Sequence, residues 1–284
     1  MNLLTIACER DKEQLLILAE SVSLFIDECT HYIVINEDNP NINEWENFLS
    51  PYYLKNELKL LTYDTSSYLP KWPGGETHIG WHRHAILKIL AYKDIKDDYL
   101  GLDCKHLFVQ RTNSKDFSHY IGCNYFSHYS NLEEKRKPTF EYYKEHFFGR
   151  HPNFICHDQM PFLFKRSVLE QIPNLLKTVQ WLADMPWMVL EPLFYSFLII
   201  DELEEKPRTK GTIRHLGFWR SDNEFIITNP EKIKIIAFHR GYIKNLDEKE
   251  YKKINDYLIG LGFKNLLSHK LFKDSKFSHG ILPR

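Results

Sequence analysis

Asp103 stands where an apolar run stops. Tyr99–Leu102 carries no charge, Asp103 ends it, Cys104-Lys105 make a short polar break, and a second run starts at His106. A carboxylate at the carboxyl end of a central strand faces the crevice where open α/β sheets bind ligands. It can hold a hard divalent cation, Mn²⁺ or Mg²⁺, because such cations favour carboxylate oxygens and phosphates complete their shell. It can equally bond a ribose, or simply cap the turn that follows. Lys105, two residues on, offers an ammonium that neutralises a diphosphate without a metal; the plainer reading is a solvated turn lysine.

Other groups suit the same chemistry. Arg83 and Lys88 lie on the helical stretch before Asp103, where cations facing a crevice would meet phosphates and otherwise form a solvated face. Trp81 reads as a core anchor or a base-stacking platform. His78 and His82 are spaced i, i+4, with His84 beside them. They offer half of a zinc site, although no H-E-x-x-H is present. The first apolar run carries Thr5, and the loop after it is Cys8-Glu9-Arg10-Asp11. Loops at that point contact the nucleotide in doubly wound folds, which makes Thr5, Cys8 and Asp11 donor-side candidates; Asp11 also reads as a helix N-cap. Glu191 and Asp158 are candidate bases for removing a hydroxyl proton. Glu191 lies in an apolar run, where burial favours a base, or else it is a helix-start residue beside Pro192. His239 ends an apolar strand, Ile233–Phe238.

The elements that must position these groups alternate. Strands are expected at Leu3–Ala7, Tyr32–Asn36, Leu58–Tyr63 and Tyr99–Asp103, with helices at Glu13–Ile26 and Gly80–Lys93. That order predicts a mostly parallel sheet with helices on its faces. The second half is more mixed. Helices are expected at Phe140–Phe148, Lys165–Lys177 and Asp247–Leu261, and a buried one at Met185–Ile200. Short strands are expected at Phe162–Phe164, Ile213–Trp219, Glu224–Thr228 and Ile233–His239, and loops at Pro70–Gly75 and Asn131–Pro138. No repeat, low-complexity segment or linker demands a cut, so residues 1–284 read as one domain, with a nucleotide-binding half to about residue 110 and an acceptor half after it.

Bulk properties narrow the class. The chain has 284 residues, 43% hydrophobic and 14% aromatic, enough to bury a core and too apolar for disorder. A net charge of -1 leaves no basic footprint for nucleic acid. Five scattered cysteines contain no C-x-x-C pair, consistent with reduced thiols in a cytoplasmic protein. No secretory leader is visible, and no segment reaches the roughly 20 apolar residues of a membrane span.

Four stretches resemble the GT-A class of glycosyltransferases, and within it a group of bacterial and phage glycosyltransferase-like proteins. LLTIACERDKEQLLILAESV is similar to the first strand, loop and helix of that class. GWHRHAILKILAYKDIKDDYLGLDCKHLFV resembles its Gly-Trp helix and acidic strand end. DQMPFLFKRSVL and MVLEPLFYSFLI resemble a later Met-Pro strand and an acidic acceptor-side helix. The resemblance spans residues 1 to about 240. It implies a Rossmann-like GT-A fold and a hexosyltransferase-like enzyme that moves a sugar from a nucleotide-sugar donor to a glycan or other hydroxyl acceptor. It also implies a weakly held metal on Asp103, with His239 completing the shell. The family places a second Asp where this chain has Lys105, and often Gln where it has His84. The loss of that Asp keeps two alternatives in view: a non-catalytic descendant that binds a sugar nucleotide or glycan, and a metal-dependent hydrolase built on His78–His84.

Overall fold

The computed structural model describes residues 1–64, 76–118, 120, 122, 126–146, 150–156, 161–172, 174–185, 189–205, 214–218 and 224–264, with backbone alone at 76–79, 81, 202, 204–205 and 214–215. The loop expected at Pro70–Gly75 and the side chain of Trp81 lie outside this set.

Alternating apolar residues build the first half. β1 (Asn2–Ala7), β2 (Thr30–Ile35), β3 (Glu57–Leu61) and β4 (Tyr99–Asp103) are parallel, in the order β3-β2-β1-β4. β8 (Phe162–Phe164) closes the sheet antiparallel to β4. Both faces of the central strands are buried. On one face Leu4, Ile6 and Val34 pack under α3 (Glu76–Leu90). On the other, Leu3, Ala7 and Ile33 meet Leu15, Leu18 and Val22 of α1 (Lys12–Phe25) and Trp45 of α2 (Ile42–Leu49). Two-sided burial is what parallel strands require, and it explains why they read as continuous apolar runs.

From β1 the chain builds outward through β2 and β3, then returns to lay β4 on the other flank of β1. That reversal opens a crevice at the carboxyl ends of β1 and β4, where open α/β sheets bind ligands. Ile6 pairs in register with Asp103, so the loop after β1 and the acidic end of β4 emerge side by side.

After β4 the chain turns through Cys104-Lys105 into β5 (His106–Phe108) of a second sheet, ordered β5-β10-β9 with β9 at Arg214–Phe218 and β10 at Ile233–Phe238. The buried His106 ring fixes this turn: its Nδ1 accepts the Asp103 backbone N–H at 2.9 Å. β6 (Phe126–His128) and β7 (Phe154–Cys156) form a separate antiparallel pair. The remaining helices are α4 (Lys137–His146), α5 (Arg166–Leu169), α6 (Leu175–Asp184), α7 (Glu191–Leu198), α8 (Ile200–Glu205), α9 (Arg240–Lys244) and α10 (Glu248–Gly260). α10 starts on the Asp247 carboxylate, which accepts from Glu250 N at 2.8 Å, and is closed by Gly262 at φ +96°, a left-handed conformation that glycine adopts without strain.

The structure corrects four expectations from the sequence. The helix expected at Lys165–Lys177 is two helices, α5 and α6, because Pro173 disfavours helix at the residue before it and Asn174 caps a new start, accepting from Lys177 N at 3.0 Å. Within Met185–Ile200 the described helix α7 starts at Glu191, after Leu190 in extended backbone, with Pro192 in the first turn, where a missing N–H costs nothing. Glu224–Thr228 is not a strand; the Phe225 backbone N–H is taken by the Glu250 carboxylate of α10 at 2.7 Å instead of by a neighbouring strand. Asn131–Pro138 is short 3₁₀ turns running into α4, not an open loop. Among the described residues no helix is long and apolar enough to cross a membrane.

Candidate active site

α3 and β4 supply the centre of the site. His84 and Lys88 are one helical turn apart and share a face, and both reach the Asp103 carboxylate. Lys88 Nζ lies 3.2 Å from Asp103 Oδ1 and His84 Nε2 lies 3.5 Å from the same oxygen. Lys105 Nζ takes the other oxygen, Oδ2, at 2.8 Å. Lys88 also donates to Glu191 Oε1, at the start of α7, at 2.7 Å. The Tyr99 hydroxyl donates to the Lys88 carbonyl at 2.9 Å and pins this turn of α3 to β4.

The network grades from interior to crevice. The Lys88 and Glu191 side chains are 5% and 9% exposed, Lys105 and Asp103 20% and 23%. Burial alone would lower the Lys88 pKa, but the Asp103 and Glu191 charges outweigh it and hold the ammonium above its ordinary value. Burial likewise pushes Asp103 up, but Lys88, Lys105 and His84 together hold it well below the usual carboxylate range. Two carboxylates are thus cross-linked by a buried cation, with a second cation at the rim.

The β1 loop and the end of β10 form the next wall. The Cys8 thiol donates to Asp11 Oδ2 at 3.0 Å; burial and the Asp11 carboxylate push its pKa up to about 11, so it stays a thiol. Asp11 occupies the N-cap position of α1, yet its side chain caps nothing; it serves Cys8 and faces Arg240 at 3.8 Å. His239 caps α9, its Nδ1 accepting Gly241 N–H at 3.2 Å. Burial lowers its pKa, and the Lys105 and Arg240 charges lower it further. Arg83 pairs with Asp38, after β2, at 2.9 Å, and its Nε has no hydrogen-bond partner among the described residues.

The structure therefore gathers Lys88, Asp103, Lys105, Glu191, Cys8, Asp11 and His239 around the mouths of β1, β4 and β10, while Arg83 lies against Asp38 after β2. Thr5 is not among them. It is fully buried inside β1, and its hydroxyl bonds His31 Nε2 at 2.9 Å. Asp158 lies outside the described residues, as does the side chain of His78. The histidine cluster splits: buried His82 bonds the Leu182 carbonyl of α6 at 3.2 Å, while His84 turns to Asp103. The sequence offers His84 as part of that cluster and as the position where the resembled family often has Gln; its i, i+4 spacing from Lys88 is the signal for its contact with Asp103. Asp38 and Arg240 were missed and carry no local motif.

A divalent cation does not fit these residues. Each Asp103 oxygen already faces a lysine ammonium, and a lysine stands where a second carboxylate would be. His239 sits within reach of the Lys105 and Arg240 charges, which repel a metal. Among the described residues no group of three His, Cys, Asp or Glu side chains can hold a metal ion.

The strand order, the two-sided helical cover and the crevice at the β1–β4 reversal define the GT-A glycosyltransferase fold. No protein-family model matches the chain, and no curated protein matches it in sequence. Solved structures carry the comparison. The chain is similar to the galactosyltransferase LgtC, crystallised with donor and acceptor sugar analogs, at TM-score 0.51 and 12% identity over 92% of this chain and 95% of that one. It is also similar to the WbbM bifunctional glycosyltransferase, at TM-score 0.55 and 10% identity over 97% of this chain; it spans only 51% of that longer protein.

Proposed function

We propose that the protein transfers a hexosyl-type sugar from a nucleotide-sugar donor to a hydroxyl of a glycan or other polymer. In that reaction the bond from the anomeric carbon to the diphosphate breaks and a bond to the acceptor oxygen forms. The acceptor proton passes to a carboxylate, and a nucleoside diphosphate leaves. Negative charge builds on the leaving phosphates, so fixed positive groups must meet them. The observation that carries this reading is the pair of ammonium groups, Lys88 and Lys105, on the two oxygens of Asp103 at the β1–β4 mouth of a GT-A fold. The nucleoside lies along Cys8, Asp11 and Arg83, with the diphosphate toward Lys105.

Glu191 is the proposed proton acceptor, positioned by Lys88, and Asp158 is the next candidate. A specific observation favours a second role for Glu191: its ion pair with buried Lys88 makes it a strut between α7 and α3. Glu191→Gln separates the two. A base contributes about 10²–10⁴-fold, so turnover falls by that factor with donor affinity nearly unchanged. If it is only a strut, Tm falls and turnover stays within about threefold, well short of that loss. The reaction itself is tested by nucleoside diphosphate release from a panel of uridine and guanosine diphosphate sugars. Tight donor binding with no release identifies a non-catalytic binding protein instead.

A further inference from the structure

We infer that the donor diphosphate is neutralised by lysine, with Lys105 in the role that a divalent cation would otherwise fill, so that donor binding is insensitive to chelation. This inference rests on the nucleotide-sugar reading above. Three observations converge on it. The two oxygens of Asp103 are divided between Lys88 at 3.2 Å and Lys105 at 2.8 Å, so the one carboxylate at the strand end is already charge-compensated. A cation placed there would have to displace an ammonium from each oxygen and then sit beside both, a like-charge cost without a second carboxylate to offset it. Finally, His239 is turned to cap α9 through Nδ1 and lies in the field of Lys105 and Arg240, an environment suited to an anion.

The division of labour follows from burial. Lys88 is locked between Asp103 and Glu191 in the interior, where it fixes the carboxylates and cannot advance. Lys105 is at the rim, on the turn between two sheets, with its ammonium 2.8 Å from Asp103 Oδ2. Its flexible stem lets the ammonium reach a phosphate oxygen while Asp103 holds it in the crevice. An ammonium is a point charge, so it grips a phosphate without demanding the octahedral shell that Mg²⁺ imposes. Asp103 is therefore the positioning residue for Lys105 and not a metal ligand.

Isothermal titration of uridine and guanosine diphosphate, and of the parent nucleosides, tests this on the intact chain with excess EDTA and again with Mn²⁺. The expected result is tighter binding of a diphosphate than of its nucleoside, with the same affinity in EDTA and in Mn²⁺. Lys105→Ala is expected to weaken diphosphate binding by about 10- to 100-fold, the loss of one charge-assisted contact, and to leave nucleoside binding unchanged. Lys105→Arg keeps the charge and is expected to restore most of the affinity. Diphosphate binding that appears only with Mn²⁺, or that survives Lys105→Ala, overturns the inference while leaving the donor reading intact. Failure of every diphosphate to bind more tightly than its nucleoside overturns the donor site and this inference together.

Discussion

Two buried polar networks flank the same central strands, and they solve burial in opposite ways. On the α1 face, His31 of β2 pairs through Nε2 with Thr5 at 2.9 Å and through Nδ1 with the Tyr53 hydroxyl at 2.6 Å. All three groups are neutral, and burial pushes the His31 pKa down to about 3. On the α3 face, Lys88, Asp103 and Glu191 are all drawn as charges into a network that ends in the crevice. The neutral network is closed and completes the scaffold. The charged one is open at Asp103 and Lys105. A buried polar side chain becomes a site only when its partners are ionic and one end reaches solvent.

The largest expected effect breaks the charged network. Lys88→Met strips buried Glu191 of its cation and leaves Asp103 with Lys105 alone of its two ammonium partners, and is expected to cost about 3–5 kcal/mol in urea unfolding. Adding Glu191→Gln removes the orphaned charge and is expected to recover part of that loss, as a double-mutant cycle would record. A single-variant loss below about 1 kcal/mol, the range of a surface pair, would show that the network is solvated in solution.

The neutral network responds to pH. His31 is held neutral when folded but takes a proton when unfolded below its ordinary value of 6.5. The unfolded state then binds more protons, so stability falls as pH drops from about 6.5 toward about 3. The slope from this one residue approaches about 1.4 kcal/mol per pH unit. Buried His82, with its pKa lowered to about 4, adds in the same direction. Denaturant midpoints measured across that window should lose the His31 share of the slope in His31→Gln.

The smallest effect draws the boundary between the two networks. Thr5→Val keeps the shape of Thr5 and removes the hydroxyl from His31, at an expected cost of about 1–3 kcal/mol. Nucleotide affinity, by titration, should be unchanged. A fall in affinity at constant stability would return Thr5 to the donor side.

Much of the first half was legible in the sequence. Tyr99–Asp103 is a strand over those same residues, and β1, β2, β3, α1 and α3 fall within a few residues of expectation, because two-sided burial and helical periodicity are local signals. The second half was less so. α2 begins on an Asn41 cap with only Trp45 and Leu49 buried, too sparse a pattern to stand out. The β6–β7 pair has three residues a side. Within the site, Asp103, Lys88 and Lys105 were readable from strand end and helix spacing. The link from Lys88 to Glu191, 103 residues apart, and that from Arg83 to Asp38 are products of packing. Thr5 misled for a related reason: its strand position was right, but alternation along β1 faces it to His31 and not to the crevice mouth.

The Cys104-Lys105 turn is also a seam. Asp103 is the last residue of β4 in the first sheet and His106 the first of β5 in the second, and the His106 ring ties back to the Asp103 amide at 2.9 Å. Most α/β proteins diversify by lengthening the loops at their strand ends. Here the strand end is a two-residue turn that sets Lys105 2.8 Å from Asp103 Oδ2, so a longer turn is expected to draw the ammonium away from its carboxylate.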